Sequence, residues 1–167
     1  MRNDMETSSN TSYIISKAYK RMWLLRRLKA LGASTAQLVD TLEKQVLSVL
    51  WLGAPAWYCL LTQVEKTASN RVAKVGLKII YGDCYSGFDN AIQLSGTSKP
   101  TDCLEKITKH FAAKTAKHSK FSKWYQCLPA TNFSTRSNTN KFTQIYTKTE
   151  RYKKSPIPHL TRILNGT

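Results

Sequence analysis

Lys106, Lys109 or His110, Lys114 and Lys117 recur at helical spacing, so they form a single cationic stripe on one helix face. Lys120 and Lys123 prolong the row, and Phe121, Trp124 and Tyr125 interleave rings among the charges. A phosphate backbone is met by a row of ammonium groups, and unpaired bases or sugars stack on exposed rings. That pairing of residue types is the chemistry of nucleic-acid contact. The plainer alternative is a solvated lysine face above rings, Phe121 and Trp124, that belong to the core.

Other chemistry is poorly provided for. Phosphoryl transfer on two metal ions needs carboxylates converging on ions about 4 Å apart. The ten acidic residues include no Asp-Asp or Asp-x-Asp cluster. Asp40 with Glu43 and Asp102 with Glu105 have helical spacing, but dipole complementation and solvation account for them. The chain has no Walker A loop, G-x-G-x-x-G, H-E-x-x-H or G-x-S-x-G. Cys103, His110, His118 and Cys127 are separated by seven, eight and nine positions. Ligand pairs in compact zinc modules lie closer together, so buried thiols and solvated histidines are the better reading. No catalytic residue, metal or cofactor is expected.

The charge balance points the same way as the stripe. The 167 residues carry 26 Lys plus Arg against 10 Asp plus Glu, a net charge of +16. Residues 1–105 hold 13 basic and 9 acidic side chains, whereas residues 106–167 hold 13 basic and only Glu150. Nucleic acid is the first polyanion to consider, and an acidic membrane surface the second. The polar start, Met1 to Ser12, lacks the apolar run of a secretory leader, and the four cysteines form no C-x-x-C pair. A nuclear or cytoplasmic chain with reduced thiols is the expectation. Residues 45–64 are free of charge for 20 positions, long enough for a membrane helix. Gly53 and Pro55 interrupt that run, and a buried core is favoured.

The elements that must position these groups read as helices. Ile15, Ala18, Met22, Leu25 and Leu28 mark an amphipathic helix over 16–31, stopped at Gly32. Ser34 and Gln37 have capping-box spacing ahead of a helix with Leu38, Leu42, Val46, Val49 and Leu50 on its apolar face. Thr62 and Glu65 repeat that signature before Val64, Ala68, Val72, Val75 and Ile79, and Gly82 ends the segment. A short helix over 88–94 with Ser86 as cap and Gly96 as stop follows. The fifth begins near Pro100, with Leu104, Ile107 and Phe111 on its core side. No stretch alternates with period two. The fold class is all-α: a small bundle of about five helices, residues 14–128, after a disordered polar tail, residues 1–13, and before an irregular basic extension, residues 129–167. Within that extension Leu160, Ile163 and Leu164 form an apolar group able to dock on the helices.

Four segments also carry a resemblance: Val39 to Thr62 (VDTLEKQVLSVLWLGAPAWYCLLT) after Gly32-Ala33-Ser34, NRVAKVGLKIIYG from Asn70, HFAAKTAKHSKFSKWY from His110, and RYKKSPIPHLTRILN from Arg151. Together, from about Ser16 to Asn165, they resemble the region after the catalytic palm in jockey-like non-LTR retrotransposon reverse transcriptases. The resemblance implies a helical thumb that holds template or primer–template beside an active site located elsewhere. The fingers, the palm with its paired aspartates, and the endonuclease have no counterpart here. Trp51 stands where an acidic residue is common, Asn70 to Lys74 depart from I-E-R-V-Q-K, and Glu105-Lys106 replaces a pair of arginines. A truncated or degraded copy is implied, without polymerase activity of its own. Nucleic-acid contact is then expected through Lys17, Lys20, Arg21, Arg71, Lys74, Lys78, Lys106, Lys109, Lys114, Lys117, Lys120, Lys123 and Trp124, with RNA or DNA as partner. The alternative is an accessory piece docking on a separate polymerase palm, for which apolar surface near Trp51, Trp57 and Leu160 would be needed.

Overall fold

A computed structural model describes residues 7–118, 120–125 and 142–166, and the regular elements among them are all helical. Helix α1 spans Thr7–Ala30 and buries Ala18, Met22 and Leu25, with Ile15 and Leu28 at the margins of the stripe. It starts earlier than the expected tail through residue 13 allows. Thr11 lies seven residues before Ala18, hence on the same face, and its burial carries the packed stripe toward the N-terminus. Residues 1–6 lie outside the described residues. Gly32, with φ +83°, supplies the left-handed turn that ends the segment.

Helix α2, Thr35–Thr41, opens on the expected capping box: the Gln37 amide donates to Ser34 Oγ, and the Ser34 amide to Gln37 Oε1. It runs into π turns over Leu42–Leu47 and ends as α3, Ser48–Trp51. Leu38, Leu42, Val46 and Leu50 are all buried. Residues spaced by four drift about 40° per step around an α-helix, and the wider π turns offset that drift and keep the row on one face. Leu52 is extended and Gly53 has φ +66°, so the chain breaks before α4, Ala54–Trp57, which carries Pro55 in its first turn. A 3₁₀ turn, Tyr58–Leu60, follows. The charge-free run is thus divided among several short pieces, and no described helix is long and apolar enough to cross a membrane.

Helix α5, Gln63–Tyr81, has the second expected capping box, with Thr62 and Glu65 exchanging hydrogen bonds. Helix α6, Phe88–Ser95, is capped differently from expectation. Gly87, with φ +151°, occupies the N-cap position, and Ser86 sits one residue too early to reach the first free amides. Gly96 ends α6 in the left-handed region. Helix α7 spans Pro100–Lys117. Two further helices, α8 at Glu150–Lys153 and α9 at Pro156–Leu164, lie in the segment expected to be irregular. All five expected helices are therefore present, joined by shorter ones.

The chain divides into two compact units: Met1–Ala54 with Leu61–Leu104, and Pro55–Leu60 with Glu105–Thr167. The first is built on α1, the α2–π–α3 helix, α5 and α6. Its core joins Ala18, Met22 and Leu25 to Leu42, Val46, Leu47 and Leu50, and to Val72, Leu77 and Ile80. Lys29 Nζ donates to the carbonyls of Ile79 and Ile80 at 2.6 and 3.0 Å, placing a cation on the negative end of α5. Asn70 Oδ1 accepts from the Thr101 amide, one of the free N–H groups of the first turn of α7.

The second unit has a smaller core of Ala112, Tyr125 and Leu160, with Ala116, Phe142, Ile163 and Leu164 packed against it. Asn165 brackets the backbone of Phe142, accepting from its amide at 3.0 Å and donating to its carbonyl at 2.9 Å. The docking of Leu160, Ile163 and Leu164 is realised here, against Tyr125 and the last turns of α7. Residues 126–141, the end of the expected bundle and the first part of the expected extension, lie outside the described residues.

The core of the first unit has one tight spot. A Cβ placed on Gly76 would clash with Leu42 Cδ1, and Leu42 is fully buried. Gly76→Val is expected to lower stability by about 1–3 kcal/mol through overpacking, despite the better backbone propensity. Chemical denaturation followed by circular dichroism measures this, and an unchanged midpoint would refute the close approach.

Candidate nucleic-acid interface

The expected contact residues fall into two groups, one in each unit. In the first unit Arg71, Lys74 and Lys78 stand three and four positions apart on α5, all exposed. The opposite side of that helix buries Val72, Ala73, Gly76, Leu77 and Ile80, so the three cations share the solvent side. Lys78 Nζ also lies 5.7 Å from the Tyr85 ring centroid. On α1, Lys17 and Lys20 are exposed, and Lys17 Nζ lies 6.0 Å from the Tyr13 ring centroid.

Arg21 behaves differently from its neighbours. Its Nη1 donates to the Gln45 carbonyl at 2.7 Å, inside the π turns. Its position in the fold is that of a brace between α1 and the π segment, not of a free phosphate contact.

In the second unit, Lys106, Lys109, His110, Lys114 and Lys117 are exposed on one side of α7. Thr108, Ala112 and Thr115 are buried on the other. The buried line is thus rotated from the expected Ile107 and Phe111, and Phe111 is 36% exposed. Small Ala112 and Thr115 admit the Tyr125 side chain, whose hydroxyl shares a 2.9 Å hydrogen bond with Thr115 Oγ1. A hydroxyl buried there is satisfied, which removes the cost of putting threonine inside. Lys109 pairs with Glu105 at 2.7 Å. Lys106, Lys114, Lys117, Lys120 and Lys123 form no ion pair with a described carboxylate.

Beyond α7 the chain continues by three-residue steps. The amides of His118, Phe121 and Trp124 donate to the carbonyls of Thr115, His118 and Phe121 at 3.2, 2.9 and 2.9 Å. Side chains three apart eclipse in such a staircase. The rings of His118, Phe121 and Trp124 accordingly form a column, with centroids 5.1 and 4.8 Å apart. Phe121 and Trp124 remain 37% and 40% exposed, so the alternative that they belong to the core does not hold; Tyr125 alone turns inward. Lys117, Lys120 and Lys123 repeat with the same step.

Four residues not expected at an interface extend the basic aromatic surface of α1: Tyr19, Trp23, Arg26 and Arg27. Trp23 is 63% exposed, one turn from Tyr19 and flanked by Arg26 and Arg27. The helical wheel carried the signal, because Trp23 falls about 140° from Ala18 at 100° per residue and so lies off the packed stripe.

Asp40 pairs with Lys44 at 2.7 Å. An open cleft of about 390 Å³ lies beside it, lined by Thr35, Val39, Asp40, Glu43, Tyr81 and Leu94, with no histidine or cysteine. No three His, Cys, Asp or Glu side chains converge among the described residues, and Cys127 lies outside them. Burial pushes the Cys59 thiol up, against smaller lowering by its backbone hydrogen bonds and Arg162. Comparison with family models, with curated proteins and with solved structures finds no match.

Two predictions follow from these placements. Arg21→Ala should lower stability by about 1–2 kcal/mol by leaving the Gln45 carbonyl without its donor, measured as a shift of the urea midpoint. Stability equal to wild type would return Arg21 to the set of free cations. Cys84 is exposed, whereas a raised pKa leaves Cys59 with less thiolate at neutral pH, so iodoacetamide should modify Cys84 roughly several-fold faster. Mass spectrometry of a time course reads the order directly.

Proposed function

We propose that this chain is a non-catalytic nucleic-acid-binding module, a helical thumb-like remnant of a retroelement reverse transcriptase that grips template or primer–template. The observation that carries the reading is the row from Lys106 to Lys123: exposed lysines, five of them without a described carboxylate partner, running into exposed rings. With 13 basic residues and one acidic residue over 106–167, the segment lacks the anions to neutralise itself. A polyanion that releases condensed counterions supplies what the chain lacks. The face of Arg71, Lys74 and Lys78 offers a second set of cations of the same kind. Lysines present point charges that tolerate any sequence, so the module positions a strand and does not read its bases.

Docking on a separate polymerase palm gains no comparable support. Trp57 and Leu160 are themselves buried and Trp51 is partly buried, so the apolar surface near them that this reading needs comes down to Leu52 and Ile157.

Binding to labelled RNA and DNA across a salt series tests the proposal. The logarithm of affinity should fall steeply with the logarithm of salt, by about 0.7–0.9 per phosphate neutralised. Changing Lys106, Lys114, Lys117, Lys120 and Lys123 together to Gln should flatten that slope by about 3.5–4.5. Weak, salt-insensitive binding by the wild-type protein would sink the reading.

A further inference from the structure

The exposed rings of the second unit can distinguish two forms of nucleic acid, because the face of a base is free to stack on a ring only where its strand is unpaired. His118, Phe121 and Trp124 form a ring column in the same stretch of chain as the exposed Lys117, Lys120 and Lys123. With centroids 4.8–5.1 Å apart, the rings touch each other and leave no gap for an intercalated base. Their open faces remain, on Phe121 and Trp124 above all.

We propose that Phe121 and Trp124, together with Lys117, Lys120 and Lys123, form a single-strand platform, on which unpaired bases stack against the two rings while the lysines hold the backbone phosphates. This rests on the reading of the basic surface as a nucleic-acid contact and specifies which form it takes. Three features built into the staircase support it. The amide of Lys120 donates to His118 Nδ1 at 3.2 Å, so the first ring is tied to the turn that carries the second cation. Tyr125, the next residue after Trp124, is anchored through Thr115, which holds the end of the staircase against α7. The rings are exposed at the end of the α7 stripe, so one strand can pass from lysine row to platform without leaving the second unit.

The test compares an oligo-uridylate about a dozen nucleotides long with an RNA duplex of the same length, in the full chain. The double variant Phe121→Leu with Trp124→Leu keeps apolar bulk and removes the ring faces. It should bind the single strand roughly ten- to a hundredfold more weakly, with the salt slope and duplex affinity unchanged. Trp124→Phe should retain most of the single-strand affinity, and Tyr146→Ala, at an exposed ring outside the platform, should retain all of it. Circular dichroism of each variant checks that helix content is preserved. Equal loss on both ligands, or no loss on either, overturns the platform while the salt-dependent grip stands. Failure of the wild-type protein to bind either ligand overturns both.

Discussion

Leu42 occupies the space that any side chain at position 76 would fill, and the first unit is organised around that contact. Gly76 lets the π segment come close to α5, and α1 closes over both through Ala18, Met22 and Leu25. Two cations of α1 then finish the assembly at backbone carbonyls: Arg21 at Gln45 and Lys29 at Ile79 and Ile80. These carbonyls lie in a π turn and at a helix end, where the regular ladder leaves acceptors short of donors. Part of the positive charge of the first unit is therefore structural. It meets the needs of the helices before any partner arrives.

The second unit uses its charge differently. Its core is small, and a polar pair at Thr115 and Tyr125 with the Asn165 bracket on Phe142 supplies part of the cohesion that apolar bulk would otherwise provide. Such contacts are directional, and they fix the end of α7 and the turn after it in one geometry. The lysines are left at the surface with almost no local anions. Repulsion along such a row is a standing cost in the free protein, and under the proposed function a bound polyanion would relieve it.

Much of the helical framework was legible because its signals are local. Ser34 with Gln37, Thr62 with Glu65, and the stops at Gly32, Gly53 and Gly96 depend on residues within one turn, and each acts where its spacing places it. The misread positions depend on distant partners. The N-terminal turns of α1 looked like a polar tail because the buried Thr11 is a polar residue and adds nothing to the apolar pattern. On α7, Leu104 is buried as expected, but the line beyond it was misassigned because Ile107 and Phe111 are the more apolar residues, whereas Tyr125 and Leu160 select the small side chains beside them. Arg21 looked like any other surface cation because its acceptor lies 24 residues away.

By itself, the sequence determined the all-α class, the helix boundaries set by caps and glycines, and an excess of 13 cations over one acid beyond residue 105. Those are properties of composition and of spacing within a turn, and no packing is needed to produce them. Tertiary structure alone decided which cations stay at the surface and which brace carbonyls, and which rings face water. Phe121 and Trp124 are exposed while Tyr125 is buried, although the three lie within five positions of one another. The reason is that a three-residue step turns successive side chains to different sides, and only the one that meets α7 and α9 is drawn into the core.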